Sequence, residues 1–306
     1  EIKVFILKAM TPVWVVVVAC LLTNCVAIAD FHLAVLVLVW RRHELANLVL
    51  KQLASLNVGG MRVSTLVVGS EGEASETLAR RYGMMYLEEE NSPLGKKHNA
   101  GLRKIREISP DAVTIIGSDD LVDAQYFISL KRAFVEDRIH VWGLKDVYFF
   151  DLSSETLVYT AGYHTAYLEV SASVGLGRAY SRQVLEEIDW HLWDDERERG
   201  LDQSAVRRVI RKLPLISTVS KSVSGKDAGI LAVDVKTKGL EGGENIWSFE
   251  DIKKGSGNGQ HLQGVSVPFP CCLTLRFCFH SDFLTDPADL RASCNSWRLL
   301  VTHMDW

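Results

Sequence analysis

The 306-residue sequence is poor in the features that mark several large protein classes. Its six cysteines are Cys20, Cys25, Cys271, Cys272, Cys278 and Cys294, and none lies between residues 26 and 270. No pair has CxxC spacing, which argues against a zinc frame, and a core of this length needs no disulfide scaffold. Positive charge is not in excess. The formal net charge is -4, so the electrostatic footprint of a nucleic-acid binder is missing. The patterns GxxxxGK[ST], HExxH and GxSxG do not occur. Gly175-Leu176-Gly177 lacks the third glycine of a dinucleotide fingerprint and comes too late in the chain. The nine histidines are scattered, and no internal repeat is visible.

What remains is ordinary globular material, with 47 % apolar and 24 % charged residues, enough for one large α/β domain with appendages. The longest uncharged apolar run is Pro12 to Ala29. Lys3 and Lys8 precede it, and Ala27-Ile28-Ala29 has the form of a small-residue cleavage site. The run reads either as a signal peptide or signal anchor, or as a buried strand or helix. The expected location is cytoplasmic, with membrane association through 12–29 as the alternative.

Leu33 to Trp40, LAVLVLVW, is a continuous apolar run rich in β-branched residues. It predicts a strand buried on both faces, and therefore a parallel sheet. Glu44 to Leu56 places Leu45, Leu48, Val49, Leu53 and Leu56 on one helical stripe. Strands are predicted at 63–68, 84–87 and 112–116, and helices at 74–82 and 96–105. That alternation implies right-handed crossovers around a parallel sheet. Farther on, 140–151 and 156–163 read as a hairpin joined at Ser153-Ser154. An extended stretch at 175–180 and helices at 182–188 and 202–212 follow. Gly255 to Gln260 reads as a flexible linker, and 261–306 carries no clear period.

In an open parallel sheet, ligands bind beyond the carboxyl ends of the strands. Three polar clusters fall at such ends: Trp40-Arg41-Arg42, Gly69-Ser70-Glu71 and Ser118-Asp119-Asp120. Two adjacent carboxylates after a buried strand repel one another unless a cation or a donor offsets them. Hard oxygen ligands in a pair suit Mn²⁺ or Mg²⁺ beside a diphosphate. The plainer alternative is a solvated turn or a helix cap.

The segments LVLVWRRHELANLVLKQL (37–54), STLVVGSEG (64–72), ENSPLGKKHNAGL (90–102) and DAVTIIGSDDLVDAQYF (111–127) resemble family 2 glycosyltransferases of the GT-A fold. GLGRAYSRQVLEEI (175–188) and RGLDQSAVRRV (199–209) add a weaker match, so that the resemblance covers residues 33–250. It implies a Rossmann-like α/β domain with a mostly parallel central sheet, helices on both faces and a small antiparallel hairpin. It implies that Trp40 and Arg41 sit beside the nucleobase. Glu71 stands where the family usually has an Asp that contacts base or ribose. Lys97 and Asn99 fall in the stretch that opens a helix under the nucleotide, where a helix N-terminus and a lysine suit a diphosphate. Ser118-Asp119-Asp120 replaces the commoner Asp-x-Asp. Asp120 would ligate the metal, and Asp119 would reach the ribose or a metal-bound water, with Ser118 beside them. Asp202 lies where the family's Glu-Asp pair precedes a helix and would take the acceptor's proton, with Asp195 as a nearby alternative. Trp190 and Trp193 would stack on a sugar of the acceptor or would simply pack. Arg178 would meet phosphate or lie at the surface.

The sequence thus leads to an apolar segment at 1–31, a GT-A domain at 32–252 and a linker and tail at 253–306. The domain divides into a donor half at 32–123 and an acceptor half at 124–252. The expected reaction is metal-assisted transfer of a sugar from a nucleotide-diphosphate sugar to a saccharide, lipid-linked or protein acceptor, with inversion implied by the resemblance. Two rivals stand beside it. One is a nucleotidyltransferase of similar fold, against which the glycine-free loop WRRHEL counts. The other is a non-catalytic carbohydrate-binding or scaffold protein, which the altered Ser118 and Glu71 favour.

Overall fold

The computed structural model describes residues 30–153, 156–163, 172–237 and 260–268. The apolar run at 12–29 lies outside them. Among the described residues no helix is long and apolar enough to cross a membrane.

The run that opens the fold is strand β1 (Phe31–Leu38). Its side chains alternate between two cores. Leu33, Val35 and Val37 enter one hydrophobic cluster, and Ala34 and Leu36 enter the other. All five are completely buried, which is why the strand carries no polar residue over that length. At about 1.5–3 kcal/mol for each fully buried Leu or Val, this strand alone contributes a substantial part of the burial term.

Parallel neighbours flank β1 on both sides: β2 (Met61–Gly69) and β4 (Ala112–Ile115). Outside β2 lies β3 (Met85–Glu88), also parallel. On the far side of β4 comes β9 (Ala179–Ser181), antiparallel to both β4 and β6 (Val141–Leu144), and β10 (Ser220–Val223) closes that edge parallel to β6. The seven-stranded order is β10-β6-β9-β4-β1-β2-β3.

Helices cover both faces. Helices α1 (His43–Ala54), α2 (Glu73–Arg81) and α4 (Ala124–Val135) bury Leu50, Leu78 and Phe127 in the first cluster. Helices α3 (Leu94–Arg106), α5 (Arg182–Glu187) and α6 (Leu201–Lys212) bury Leu102, Leu185 and Val206 in the second. The alternation expected from the sequence is therefore the architecture observed, with boundaries moved by one or two residues. Helix α4 was not among the expected elements, although Asp123 caps it through a bond from the Tyr126 amide at 3.1 Å.

The expected single strand at 140–151 is a correction. The chain makes β6, turns at Lys145-Asp146, and starts β7 (Val147–Asp151) in a second sheet. The buried carboxylate of Asp146 fixes this corner by accepting from Ser224 Oγ at 2.6 Å, Tyr159 Oη at 2.9 Å and the Gly225 amide. The second half of the reading holds, because β7 and β8 (Thr156–Tyr163) pair antiparallel. They belong to a five-stranded sheet, β12-β8-β7-β11-β5, with β5 (Asp120–Val122), β11 (Ala232–Lys236) and β12 (Gln260–Pro268). Strand β12 lies within the stretch read from the sequence as linker and tail. Of the extended stretch expected at 175–180, only the end joins a strand, β9.

One side chain ties the chain's later segments to α3. Asn99 is completely buried. Its Nδ2 donates to the Trp193 carbonyl and to Asp195 Oδ1, both at 2.8 Å. Its Oδ1 accepts from the amides of Leu192 at 3.0 Å and Trp193 at 3.1 Å. Removing it leaves two buried backbone donors without partners, each costing about 1–3 kcal/mol. Asn99→Ala is therefore expected to lower the melting temperature by about 5 °C or more in a thermal scan. A shift within about 1 °C would contradict this role.

Candidate active site

The site begins where β4 ends. Gly117 follows this strand, and the next three residues turn back, with the Asp120 amide donating to the Gly117 carbonyl at 3.2 Å. A Cβ on Gly117 would lie 2.7 Å from Asp120 Oδ2 and 2.8 Å from Asp119 Oδ1. Only glycine lets both carboxylates crowd this point. The Gly117 amide also donates to Asp120 Oδ2 at 2.6 Å.

Strand β5 then pairs antiparallel with β11 in a register that sets Asp234 opposite Asp120. The Val235 amide locks it by donating to the Asp119 carbonyl at 2.8 Å. Like charges placed directly opposite on paired strands destabilise a sheet. Here carboxylate oxygens of Asp119, Asp120 and Asp234 lie within 4.8 Å of one another. Asp234 Oδ1 is buried and has no hydrogen-bond partner.

Two cations answer part of this charge. Arg42 Nη1 contacts Asp119 Oδ2 at 2.8 Å, and its Nη2 reaches Ser118 Oγ at 3.4 Å. Lys236 Nζ contacts Asp234 Oδ2 at 2.7 Å from two residues along the same strand. Burial pushes the Asp119 carboxyl up, but the charges of Arg42 and Lys236 outweigh it and hold it below the usual range. Asp120 has no cation in contact. Burial first, then the charges of Asp234 and Asp119, push its carboxyl well above the usual range. Burial, opposed by Lys236 and reinforced by Asp119, raises Asp234 to about 6. The donor set is all hard oxygen, and one buried oxygen is an orphan, so the residues present fit Mn²⁺ or Mg²⁺. Asp119 and Asp234 each keep 18 % side-chain exposure, which leaves a route from solvent.

The other residues expected at the site are distributed unevenly. Glu71 bridges the ends of β1 and β2. Its Oε2 accepts from the Arg41 amide at 2.7 Å and contacts His43 Nε2 at 2.8 Å. It braces the loop in which Arg41 and Arg42 take left-handed backbone angles, φ 54° and 45°. The Arg41 guanidinium lies 4.2 Å from the Trp40 ring centre, so these two face each other at the strand end.

Lys97 is completely buried behind the strand ends, where Nζ donates to Ser70 Oγ at 2.6 Å, the Val39 carbonyl at 2.8 Å and Asn91 Oδ1 at 3.1 Å. Burial lowers its pKa to about 8 against the opposing charges of Glu71 and Glu89. The start of α3 is also engaged. The Gly95 amide donates to the Arg197 carbonyl at 2.8 Å and the Lys96 amide to the Asp195 carbonyl at 3.1 Å. A Cβ on Gly95 would lie 2.1 Å from the Asp194 carbonyl oxygen, so the 194–198 segment sits directly on this turn. This corrects the expectation of a helix N-terminus open to a diphosphate. The helix donors are satisfied by the chain itself, and Lys97 and Asn99 hold the walls rather than face the crevice.

For Trp190 and Trp193, read as stacking on an acceptor sugar or as packing, the structure gives packing. They are 0 % and 4 % exposed and belong to the second core cluster, with Trp193 packed 4.6 Å from His98. Neither ring offers a face to a sugar. The Asp195 carboxylate takes the Asn99 bond at 2.8 Å and lies 3.6 Å from His191 Nε2. Asp202 lies in the first turn of α6, which Gly200 caps, so it is not the cap residue. A Cβ on Gly175 would fall 2.3 Å from its Oδ1. The same loop touches the β4 end, since the Gly177 amide donates to the Ile115 carbonyl at 2.9 Å. Its Gly177 carbonyl accepts from Tyr126 Oη at 2.6 Å. Arg178 is a buried brace, with Nε donating to Ser173 Oγ at 2.8 Å and Nη1 to the Asp202 carbonyl at 3.2 Å.

Asp234 and Lys236 were not among the expected site residues, and Arg42, expected at the end of the first strand, had been given no role there. The period-2 pattern of AVDVK was the available signal, because it puts Asp234 and Lys236 on one face of a strand.

The titration shifts make stability depend on pH in one direction. Asp234 and Asp120 bind protons more tightly folded than unfolded, so in chelator their contribution is full below about pH 4 and is lost as pH rises through about 6 and beyond. Asp120→Asn mimics the protonated form and keeps an acceptor for Gly117. Scanned at pH 8 in chelator, it is expected to melt about 2–4 °C above the native protein, the equivalent of ~1 kcal/mol. A lower melting temperature would contradict the assignment.

No protein-family model matches the chain, and no curated protein matches it in sequence. Its fold does match solved structures. TarS 1–349 of S. aureus in complex with UDP-GlcNAc aligns at a TM-score of 0.50 and 15 % identity, over 72 % of this chain and 63 % of that one. The chain thus spans less than two thirds of the TarS chain. The mannosyltransferase PcManGT of Pyrobaculum calidifontis, in complex with GDP-Man and Mn2+, aligns at 0.47 and 12 % identity, over 90 % and 76 % of the two chains. The mostly parallel seven-stranded sheet with helices on both faces and the match to TarS agree: this chain has the GT-A glycosyltransferase fold.

Proposed function

We propose that this chain transfers a sugar from a nucleotide-diphosphate sugar to an acceptor hydroxyl. The observation that carries the reading is the buried cluster of Asp119, Asp120 and Asp234 with its unpartnered Asp234 Oδ1. It stands at the carboxyl end of β4, where ligands of open α/β sheets bind. Of the solved structures similar to this chain, TarS is in complex with UDP-GlcNAc, and PcManGT with GDP-Man and Mn2+.

Asp119, Asp120 and Asp234 would hold the divalent cation, Mn²⁺ or Mg²⁺, Asp119 either directly or through a ligand water. The cation, when bound, neutralises the diphosphate and supports its departure. Trp40 and Arg41 border the nucleobase, and Glu71 holds their loop in place. In the reaction the bond between the anomeric carbon and the diphosphate oxygen breaks, and the diphosphate leaves with the electron pair. A new bond forms from the acceptor oxygen to that carbon, and the acceptor's proton passes to a carboxylate. Asp202 is the residue assigned to this step, because its loop neighbour Gly175-Leu176-Gly177 abuts the end of β4. Asp195 is the alternative, with its carboxylate accepting from Asn99 at 2.8 Å and lying 3.6 Å from His191 Nε2. Inversion follows from a single displacement and belongs to the same proposal. The acceptor is a saccharide, a lipid-linked group or a protein hydroxyl.

Calorimetric titration with UDP, GDP and other nucleoside diphosphates, each with and without Mn²⁺, tests the reading. One nucleotide is expected to bind with Mn²⁺, and Asp120→Ala or Asp234→Ala to abolish that dependence. Failure of well-folded protein to bind any nucleotide would overturn the catalytic reading in favour of a scaffold role. Once a donor is known, Asp202→Asn is expected to lower kcat by about 10²–10⁴ while leaving nucleotide affinity within about threefold. An unchanged kcat would remove Asp202 from the mechanism.

A further inference from the structure

The acid cluster is close to electrically satisfied by the chain's own cations. Asp119 is matched by Arg42 at 2.8 Å, and Asp234 by Lys236 at 2.7 Å. A divalent cation entering this arrangement alone would take Asp119 and Asp234 from the two positive groups and crowd positive charge together. A diphosphate entering alone would meet three acidic groups, while Arg42 and Lys236 remain tied to carboxylates. Each entry by itself is therefore unfavourable, and the two together balance.

The placement of the two cations suits an exchange. Arg42 follows β1 at the carboxyl edge of the sheet and precedes α1, in a left-handed conformation that a non-glycine residue adopts at a cost. Its guanidinium spans Asp119 and Ser118, and the same planar fork matches phosphate oxygens. Lys236 is 6 % exposed, and Phe149 supports its ammonium at 5.3 Å.

We propose that Arg42 and Lys236 are exchange cations: each holds a site carboxylate until a divalent cation takes it, and then passes to a phosphate oxygen of the nucleotide. This rests on the donor-site reading above and adds a coupling to it. Divalent cation and nucleoside diphosphate then bind with mutual reinforcement, by the same factor in either order.

The test is Mn²⁺ binding to the full chain, read from loss of the free-ion electron paramagnetic resonance signal, with and without UDP or GDP. For the native protein the nucleotide is expected to tighten Mn²⁺ binding tenfold or more. Arg42→Gln is expected to bind Mn²⁺ alone more tightly than the native protein, because Asp119 no longer has a competing partner. In that variant the nucleotide's effect is expected to fall to about threefold or less. Lys236→Met is expected to shift both quantities in the same direction and gives the reading independently if Arg42→Gln does not fold. Arg42→Lys, which keeps charge without the fork, is expected to retain part of the coupling. A variant that binds Mn²⁺ alone no better than the native protein and keeps the full nucleotide effect would overturn the exchange. Native protein that binds Mn²⁺ and nucleotide independently would overturn it too, while leaving the donor site standing. Native protein that binds neither would remove the donor-site reading and the exchange with it.

Discussion

Everything at the candidate site depends on one electrostatic conflict. The pairing of β5 with β11 sets Asp120 and Asp234 opposite one another, and the turn after β4 adds Asp119 to the same point. Backbone hydrogen bonds enforce the conflict. The strand register, the Val235 amide on the Asp119 carbonyl and the Gly117 amide on Asp120 hold the three residues at one point. A fold keeps such an arrangement only when something offsets it. Arg42 and Lys236 offset Asp119 and Asp234, and a divalent cation is the further offset proposed for the working site.

The rest of the molecule holds that conflict in place. Strand β1 divides the two hydrophobic cores and delivers Arg42 to the sheet edge. Glu71 fixes the loop between them by accepting the Arg41 amide. Buried Lys97 links Ser70, Asn91 and the Val39 carbonyl behind the crevice. Asn99 and the 194–198 segment then join α3 to the chain that leads into α6 and Asp202. Several of the most polar residues near the crevice thus act by positioning their neighbours, which is how a preorganised site is supported.

The parts of this account that were legible in the sequence are those set by local pattern. The unbroken apolar run of β1, the stripe of α1 and the strand-end position of Asp119-Asp120 each follow from a few neighbouring residues. Distant contacts decided what was not legible. Asp234 lies more than a hundred residues beyond Asp120, and only the β5–β11 register brings them together. Lys97 reads as a charge at a helix start, but the carbonyl and hydroxyl that bury it come from other strand ends. Trp190 and Trp193 read equally as stacking platforms or as core, and the second hydrophobic cluster decides for core. The split of 140–151 between two sheets rests on Asp146, whose partners Ser224 and Gly225 are remote in sequence. Helix α4, by contrast, had a local signature in Asp123 and its apolar stripe.

The opposed carboxylates of Asp120 and Asp234 are the proposed divalent-cation site. Anomalous diffraction at the manganese edge, from crystals grown with MnCl₂ and a nucleoside diphosphate, addresses it directly. One strong anomalous peak is expected within about 2.0–2.3 Å of oxygens from both Asp120 and Asp234. A peak elsewhere, or well-ordered carboxylates with no peak between them, would contradict it.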